Sequence, residues 1–327
     1  MPHMSWLRAR VLAHLEACRP DTLFYAGTVG LSGAVLTDVD TPPRLLLLAW
    51  LVPTLAWVAS IYGGDYFDRE LDRLTKPHRP IPSGRVAAGT ARAVMVAGIA
   101  AGGLIAVLVN PLTAGLAAVA CVFGIAYASV LKGRGLWGNV VRGLPTALTL
   151  LWGSMVVQPL PEPRLVPLAV AFWLHDSGSN LLGALGDRDG DQRGGCRTYP
   201  VLHGDDATVR GLVNFGMCWV AIAALWPLVP GTAIPAVSLP VYAAGLAVVA
   251  LANWVAVALV ARAPRPIPRA VCLRAHEIVV AERIVLGTFL PAAAGRADIA
   301  LLVGGPSLAA TLVARGLMRR RYEPVRA

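Results

Sequence analysis

Asp65-Tyr66-Phe67-Asp68-Arg69-Glu70-Leu71-Asp72 closes one long apolar run of the chain, and Asp187-Arg188-Asp189-Gly190-Asp191 closes another. Carboxylates are costly at the edge of a bilayer, so such clusters make sense where they hold a cation and the cation holds something more anionic still. Around them, 56% of the 327 residues are hydrophobic and 15% are charged, with a mean hydropathy of +0.61. That composition belongs to a polytopic membrane protein rather than a soluble domain. The net charge of +10 lies in short Arg clusters between apolar runs. This is loop charge, not the continuous face of a nucleic-acid binder. Cys18, Cys121, Cys196, Cys218 and Cys272 are scattered and read as core or loop fillers, with no disulfide or zinc pattern.

A membrane-crossing helix needs roughly 17–25 apolar residues. Such runs lie near 22–38, 45–64, 93–109, 112–130, 139–158, 165–186, 209–229, 236–261, 271–294 and 298–317. Small residues such as those from Ala97 to Gly103 suit close helix contact. Loops 73–92, 131–142, 188–210 and 262–274 and both tails, including Arg8, Arg10, Arg19 and Arg319 to Arg321, are rich in bases; the intervening loops carry Arg44, Arg164 and Arg296. The alternation predicts both termini in the cytosol and an even number of spans. The N-terminus lacks a signal-peptide cleavage pattern. Run 271–294 holds Arg274, His276, Glu277, Glu282 and Arg283; as an interfacial helix it would reduce ten spans to nine. The expected fold is an all-α transmembrane bundle of nine to ten spans, forming one domain over 1–327.

Both acidic clusters then fall on the cytosolic side, at the ends of the second and sixth spans. Asp68-Arg69-x-x-Asp72 is followed by Lys76-Pro77, and Asp187-Arg188-x-x-Asp191 by Arg197-Thr198-Tyr199-Pro200, at an offset of 187 − 68 = 119 residues. A four-helix unit used twice, over 20–135 and 136–261, with C-terminal helices at 262–327, would face the clusters across one cavity. On a helix, Asp65, Asp68 and Asp72 share a face, as do Asp187 and Asp191. Aspartates so placed suit Mg²⁺, which completes its shell from water and substrate phosphate. Bases follow each cluster: Lys76, His78, Arg79 and Arg85, then Arg193 and Arg197. The chain's two lysines, Lys76 and Lys132, both lie in loops beside the expected site, where an ammonium suits a phosphate oxygen. Arg85, Arg134 and Arg210 read instead as anchors to anionic lipid. A diphosphate whose other end lies in an apolar cavity is most simply a prenyl diphosphate, ionised without water nearby.

These residues resemble the UbiA superfamily of intramembrane prenyltransferases. Its first signature, Asn-Asp-x-x-Asp-x-x-x-Asp leading into Lys-Pro-x-Arg-Pro-x-x-Ser-Gly, corresponds to Gly64 through Asp72 and to Lys76-Pro77-His78-Arg79-Pro80 through Ser83-Gly84. Its second corresponds to Asp187 through Asp191, Gly194, Arg197-Thr198 and Pro200-Val201, and a Tyr–Lys pair to Tyr127 and Lys132. The match runs over 19–201; beyond it only hydropathy agrees. The resemblance implies a helical bundle around a cavity opening laterally to lipid, Mg²⁺, a prenyl diphosphate donor and an aromatic or quinone-precursor acceptor. It implies that Asp68, Asp72, Asp187 and Asp191 hold the metal and diphosphate, with Lys132 and Tyr127 on the diphosphate. Gly64 stands where the family has Asn, which opens a terpene cyclase on the same scaffold as the alternative. A transporter would place its acids near the midplane, not at the rim.

Deeper in the sixth span, His175-Asp176 lies eleven residues before Asp187, about 16 Å at 1.5 Å per residue. An ionisable pair at that depth is a candidate for orienting the acceptor or taking its proton; a side chain satisfied by a neighbouring Ser, Thr or Arg is the alternative. Asn180 shares the face of Asp187 and reads either as an aid to the metal or as a core hydrogen-bonding group. Trp50, Trp57 and Trp173 read as tail-lining or cation-stabilising walls. Lys76, Arg79 and Asp65 complete the expected substrate contacts, with an integral location in the plasma membrane and a site facing the cytosol.

Overall fold

The computed structural model describes residues 2–232 and 234–321, the last three, Arg319 to Arg321, as backbone only. An N-terminal helix, α1 (Pro2–Ala17), precedes α2 (Tyr25–Thr37), α3 (Pro43–Phe67), the short α4 (Arg69–Thr75), α5 (Ala88–Val109) and α6 (Pro111–Ala126). The second half holds α7 (Leu136–Val157), α8 (Val166–Arg193), α9 (Tyr199–Leu225) and α10 (Leu239–Ala261). Then come α11 (Arg269–Ala293), α12 (Ala297–Ile299) and α13 (Gly305–Arg321), the last two joined by a π-helical turn at Ala300–Gly304. Each of the ten apolar runs has become a helix. Seven of these helices are long and apolar enough to cross a membrane; α2 is too short, while α8 and α11 carry charge.

Those three exceptions form the heart of the bundle. α2 has 13 residues, roughly 20 Å at the helical rise, and it is buried along almost its whole length between α3, α7 and α11. Close approach requires glycine there. A Cβ on Gly30 would stand 2.0 Å from the Ala49 carbonyl oxygen, and one on Gly153 of α7 would stand 2.0 Å from the Gly30 carbonyl oxygen. Ser32 adds a hydrogen bond to the Gly287 carbonyl of α11 at 2.8 Å. α11 itself packs on α2, α8 and α10 with Glu282 and Arg283 buried. It is therefore an interior helix of the bundle rather than an interfacial one, because its charged residues find partners inside.

α5 and α6 are the opposite case. Their membrane-crossing windows are 11% and 0% buried within the protein, so their outer faces are left to lipid. α6 starts cleanly: Asn110 Oδ1 accepts from Leu112 N at 2.9 Å and Thr113 N at 3.0 Å, and Pro111 occupies the first turn. It ends in a π-helical turn, Tyr127–Leu131, where the Lys132 amide donates to the Tyr127 carbonyl at 3.0 Å. On α5, a Cβ added at Gly98 would stand 2.8 Å from Ala59 Cβ, one at Gly102 3.9 Å from Val52, and one at Gly103 would meet nothing within 4 Å. Gly98 and the buried Gly102 thus face α3, while Gly103 leaves open space beside the helix.

The elements follow the same order in both halves: α2, α3, α5, α6 and then α7, α8, α9, α10, with one acidic cluster at the end of the second long helix of each. A two-residue parallel pairing, β1 (Arg134–Gly135) with β2 (Arg197–Thr198), joins the loops that follow Lys132 and Asp191. It ties the two halves together at the site.

Candidate active site

A cavity of about 940 Å³ runs through the bundle. Its apolar limb lies along α3, α5 and α6, where Gly98, Gly102, Gly103, Ala117 and Gly124 keep the wall thin. Its polar end is lined by Asp65, Asp68, Asp187 and Asp191 with Lys76, Arg79 and Lys132. Carboxylates from both acidic clusters therefore face one space.

The first cluster spans the junction of two helical segments. α3 stops at Phe67, Asp68 stands at the junction, and α4 begins at Arg69. Asp68 keeps right-handed helical torsions, with its amide bonded to the Gly64 carbonyl at 2.9 Å and its carbonyl to the Asp72 amide at 2.8 Å, and each carboxylate of the cluster has a different partner. Arg19 donates to Asp65 at 2.5 Å, Lys132 to Asp68 at 2.6 Å and Arg79 to Asp72 at 3.0 Å. The second cluster sits on unbroken α8, with Lys76 donating to Asp187 at 2.8 Å and Arg269 lying 4.0 Å away. The two lysines thus clasp one carboxylate from each cluster.

Asp191 has a harder environment. It is buried, and residues 187–193 extend α8 past its apolar run. Burial, and then the neighbouring Asp187 charge, push its carboxyl up to about 6. Burial works against the Lys132 ammonium, yet the adjoining Asp68 carboxylate outweighs it and holds the proton more tightly than usual. Asp68, Asp187 and Asp191 are hard oxygen donors at one end of a cavity, the donor chemistry that Mg²⁺ takes. Among the described residues, no three His, Cys, Asp or Glu side chains are grouped so as to hold a metal ion by themselves. Any ion held here would draw part of its shell from water or substrate.

The remaining expected site residues divide. Tyr127 and Asn180 line the cavity and meet through Asn180 Nδ2 and Tyr127 Oη at 3.3 Å; Asn139 donates to Asn180 at 2.8 Å. Asp72 and Arg197 are not brought to the cavity wall. Asp72 is buried against Arg79, which straps the Lys76–Ser83 loop, and Arg197 is exposed on β2. Asp176 lines the cavity, and its carboxylate has the Thr and Arg partners that the alternative reading expects. Thr146 donates to it at 3.0 Å, Arg142 lies at 3.4 Å, and Arg283 donates to its other oxygen. His175 faces Glu282 at 2.8 Å and the ring of Trp219, outside the cavity wall. Of the three tryptophans, Trp57 lines the cavity; Trp173 donates to the Val140 carbonyl at 2.7 Å. Arg85 bonds Glu16 of α1 at 2.5 Å instead of reading as a lipid anchor alone.

Arg142, Asn139 and Arg19 were not picked out by sequence reasoning as site residues. The signal for Arg142 was present: it interrupts an apolar run at 139–158, where a charge is expensive.

An all-helical membrane bundle whose acidic, lysine-clasped rim opens into an apolar groove defines an intramembrane enzyme that handles an amphipathic anion. The chain belongs to the UbiA prenyltransferase family, which matches residues 25–276, and it is a prenyltransferase integral to the membrane. It is 34% identical over 221 residues to digeranylgeranylglyceryl phosphate synthase of Ignicoccus hospitalis, covering 66% of this chain and 72% of that one. With the synthase of the same name from Methanopyrus kandleri it shares 33% identity over 219 residues, 66% and 78% of the two chains. Its fold matches that of a UbiA homolog from Archaeoglobus fulgidus bound to GPP and Mg²⁺, with a TM-score of 0.63, 16% identity and coverage of 83% and 98%.

Proposed function

We propose that the protein transfers a prenyl group from a prenyl diphosphate to the free hydroxyl of a prenylated glyceryl phosphate, with Mg²⁺ at the Asp68, Asp187 and Asp191 rim. The observation that carries this reading is the joining of that rim, with Lys76 and Lys132, to an apolar limb inside one cavity. The aromatic acceptor expected from the family resemblance gives way to a glyceryl phosphate because the named relatives make a glyceryl phosphate product. The cyclase alternative is set aside on the same ground. The A. fulgidus homolog bound to GPP and Mg²⁺ supports the donor class and the ion.

In the reaction, the C1–O bond of the donor breaks and its electron pair leaves on the diphosphate. The acceptor hydroxyl oxygen bonds C1 to form an ether, and its proton departs with the diphosphate. Mg²⁺, when bound, neutralises charge on that leaving group. Lys76 and Lys132 turn from their carboxylates toward diphosphate oxygens, exchanging one charge-assisted hydrogen bond for another. Tyr127, held by Asn180, flanks the reacting carbon beside Trp57. The apolar limb takes the prenyl tail and excludes water from the developing cation. Each half, 20–135 and 136–261, contributes one acidic cluster, and the rim faces the cytosol in the plasma membrane. Incubation with prenyl diphosphates of several lengths against a prenylglyceryl phosphate, an aromatic acid and no acceptor, read by mass spectrometry, tests the reading. An ether of the glyceryl phosphate is expected; an alkylated ring or an acceptor-free hydrocarbon would overturn it.

A further inference from the structure

α8 and α11 are bridged by two buried ion pairs one residue apart, and the pairs face different ways. His175 and Glu282 pair one-to-one away from the cavity, against Trp219. Asp176 and Arg283, the next residue on each helix, line the cavity, and there a second guanidinium joins them: Arg142 from α7. Two guanidiniums thus share one carboxylate on the cavity wall. The layer is also unsatisfied. The Nε of Arg283 and the hydroxyl of Tyr25 are buried without a hydrogen-bond partner among the described residues, and both residues line the cavity. The neighbouring bridge also has bare buried atoms, His175 Nδ1 and Glu282 Oε1, but neither of those residues lines the cavity.

The layer adjoins the diphosphate end. The Arg142 guanidinium lies 5.0 Å from the Trp57 ring centroid and 5.9 Å from that of Tyr127. Tyr127 in turn meets Asn180 and stands beside Lys132. A polar path thus leads from the rim to the Arg142–Asp176–Arg283 layer without leaving the cavity. Arginine pairs match phosphate oxygens through forked N–H donors.

We propose that Arg142 and Arg283, aligned by Asp176 and Thr146, form a subsite for the phosphate of the acceptor and make the enzyme select a phosphorylated acceptor over its neutral alcohol. This rests on the glyceryl phosphate reading above. The subsite sets specificity; the diphosphate of the donor is held elsewhere, at the rim.

The test compares the parent with Arg142→Gln, Arg283→Gln and Arg142→Lys in membranes, using a prenylglyceryl phosphate and the matching prenylglycerol as acceptors. Each Gln variant is expected to raise KM for the phosphate acceptor by roughly tenfold or more while the donor KM stays within about twofold, and to lose the preference for phosphate over alcohol. Arg142→Lys should restore part of that preference. The thermal shift produced by the prenylglyceryl phosphate alone, without donor, should shrink in parallel. If Arg283→Gln does not accumulate, Arg142→Gln decides, since its side chain is 19% exposed against 8% for Arg283. A parent that ignores the phosphate acceptor overturns both the function and the subsite. A parent that uses it, with Arg142→Gln keeping the full phosphate preference, overturns the subsite alone.

Discussion

The two acidic clusters share a sequence pattern but not the partners of their carboxylates. The first is split at Asp68 between α3 and α4, and its last carboxylate, Asp72, is turned inward onto Arg79. The second stays on one helix, and its last carboxylate, Asp191, is buried at the cavity wall beside Asp187. The difference shows how one repeated motif can divide its labour. One copy spends a carboxylate on holding the Lys76–Ser83 loop in place; the other keeps both for the cavity.

Four experiments would break or sharpen that contrast. The largest effect belongs to the carboxylates clasped by lysine. Asp68→Asn and Asp187→Asn should each lower kcat/KM by about a thousandfold, since each removes charge facing the leaving group; steady-state assays across Mg²⁺ concentrations would check it. Next is Asp191. A carboxyl raised to about 6 is protonated below that pH, so Mg²⁺-dependent donor binding should fall as pH drops through 6. The linkage sign is the reverse for stability. Because the folded value lies above the unfolded one, this group favours the folded state at low pH and that contribution is lost as pH rises through 6. Asp191→Asn should accordingly abolish the pH step, reduce activity and raise Tm, all readable from pH–rate profiles and thermal melts.

Asp72→Asn should do the opposite. Removing one partner of a buried pair is destabilising by about 3–5 kcal/mol, so Tm should drop while the Mg²⁺ dependence of the surviving enzyme stays near the parent's. A drop in Mg²⁺ affinity with unchanged Tm would show that the two clusters work alike after all. The smallest effect is expected at Gly64, which lines the cavity and where an added Cβ would meet nothing within 4 Å. Gly64→Asn should fold normally and change kcat/KM by no more than about threefold, with a modest decrease in the Mg²⁺ needed for half-maximal rate.

Much of this was legible in the primary structure. Each of the ten apolar runs is helical, Lys76, Lys132 and Asn180 were placed beside the acids by their position in sequence, and Tyr127 by the family resemblance. What could not be read was tertiary. The i, i+3, i+7 spacing of Asp65, Asp68 and Asp72 describes one side of a helix, and nothing local announces the turn at Asp68 or the capture of Asp65 by Arg19 forty-six residues away. Gly102 and Gly103 read equally well as a contact face or as a thin wall, because glycine records that something is close or that something is missing, not which. Arg142 looked like one more loop base at the edge of a span, and only the packing of α7 on α8 turns it toward Asp176.

Both lysines of the chain grip the catalytic rim, one per cluster. Amine chemistry is consequently a selective reporter on this protein. Isotopic methylation of the side-chain amines would install two resonances, at Lys76 and Lys132, one watching each half of the site. A ligand that loosens either clasp would announce itself by the shift of a single line.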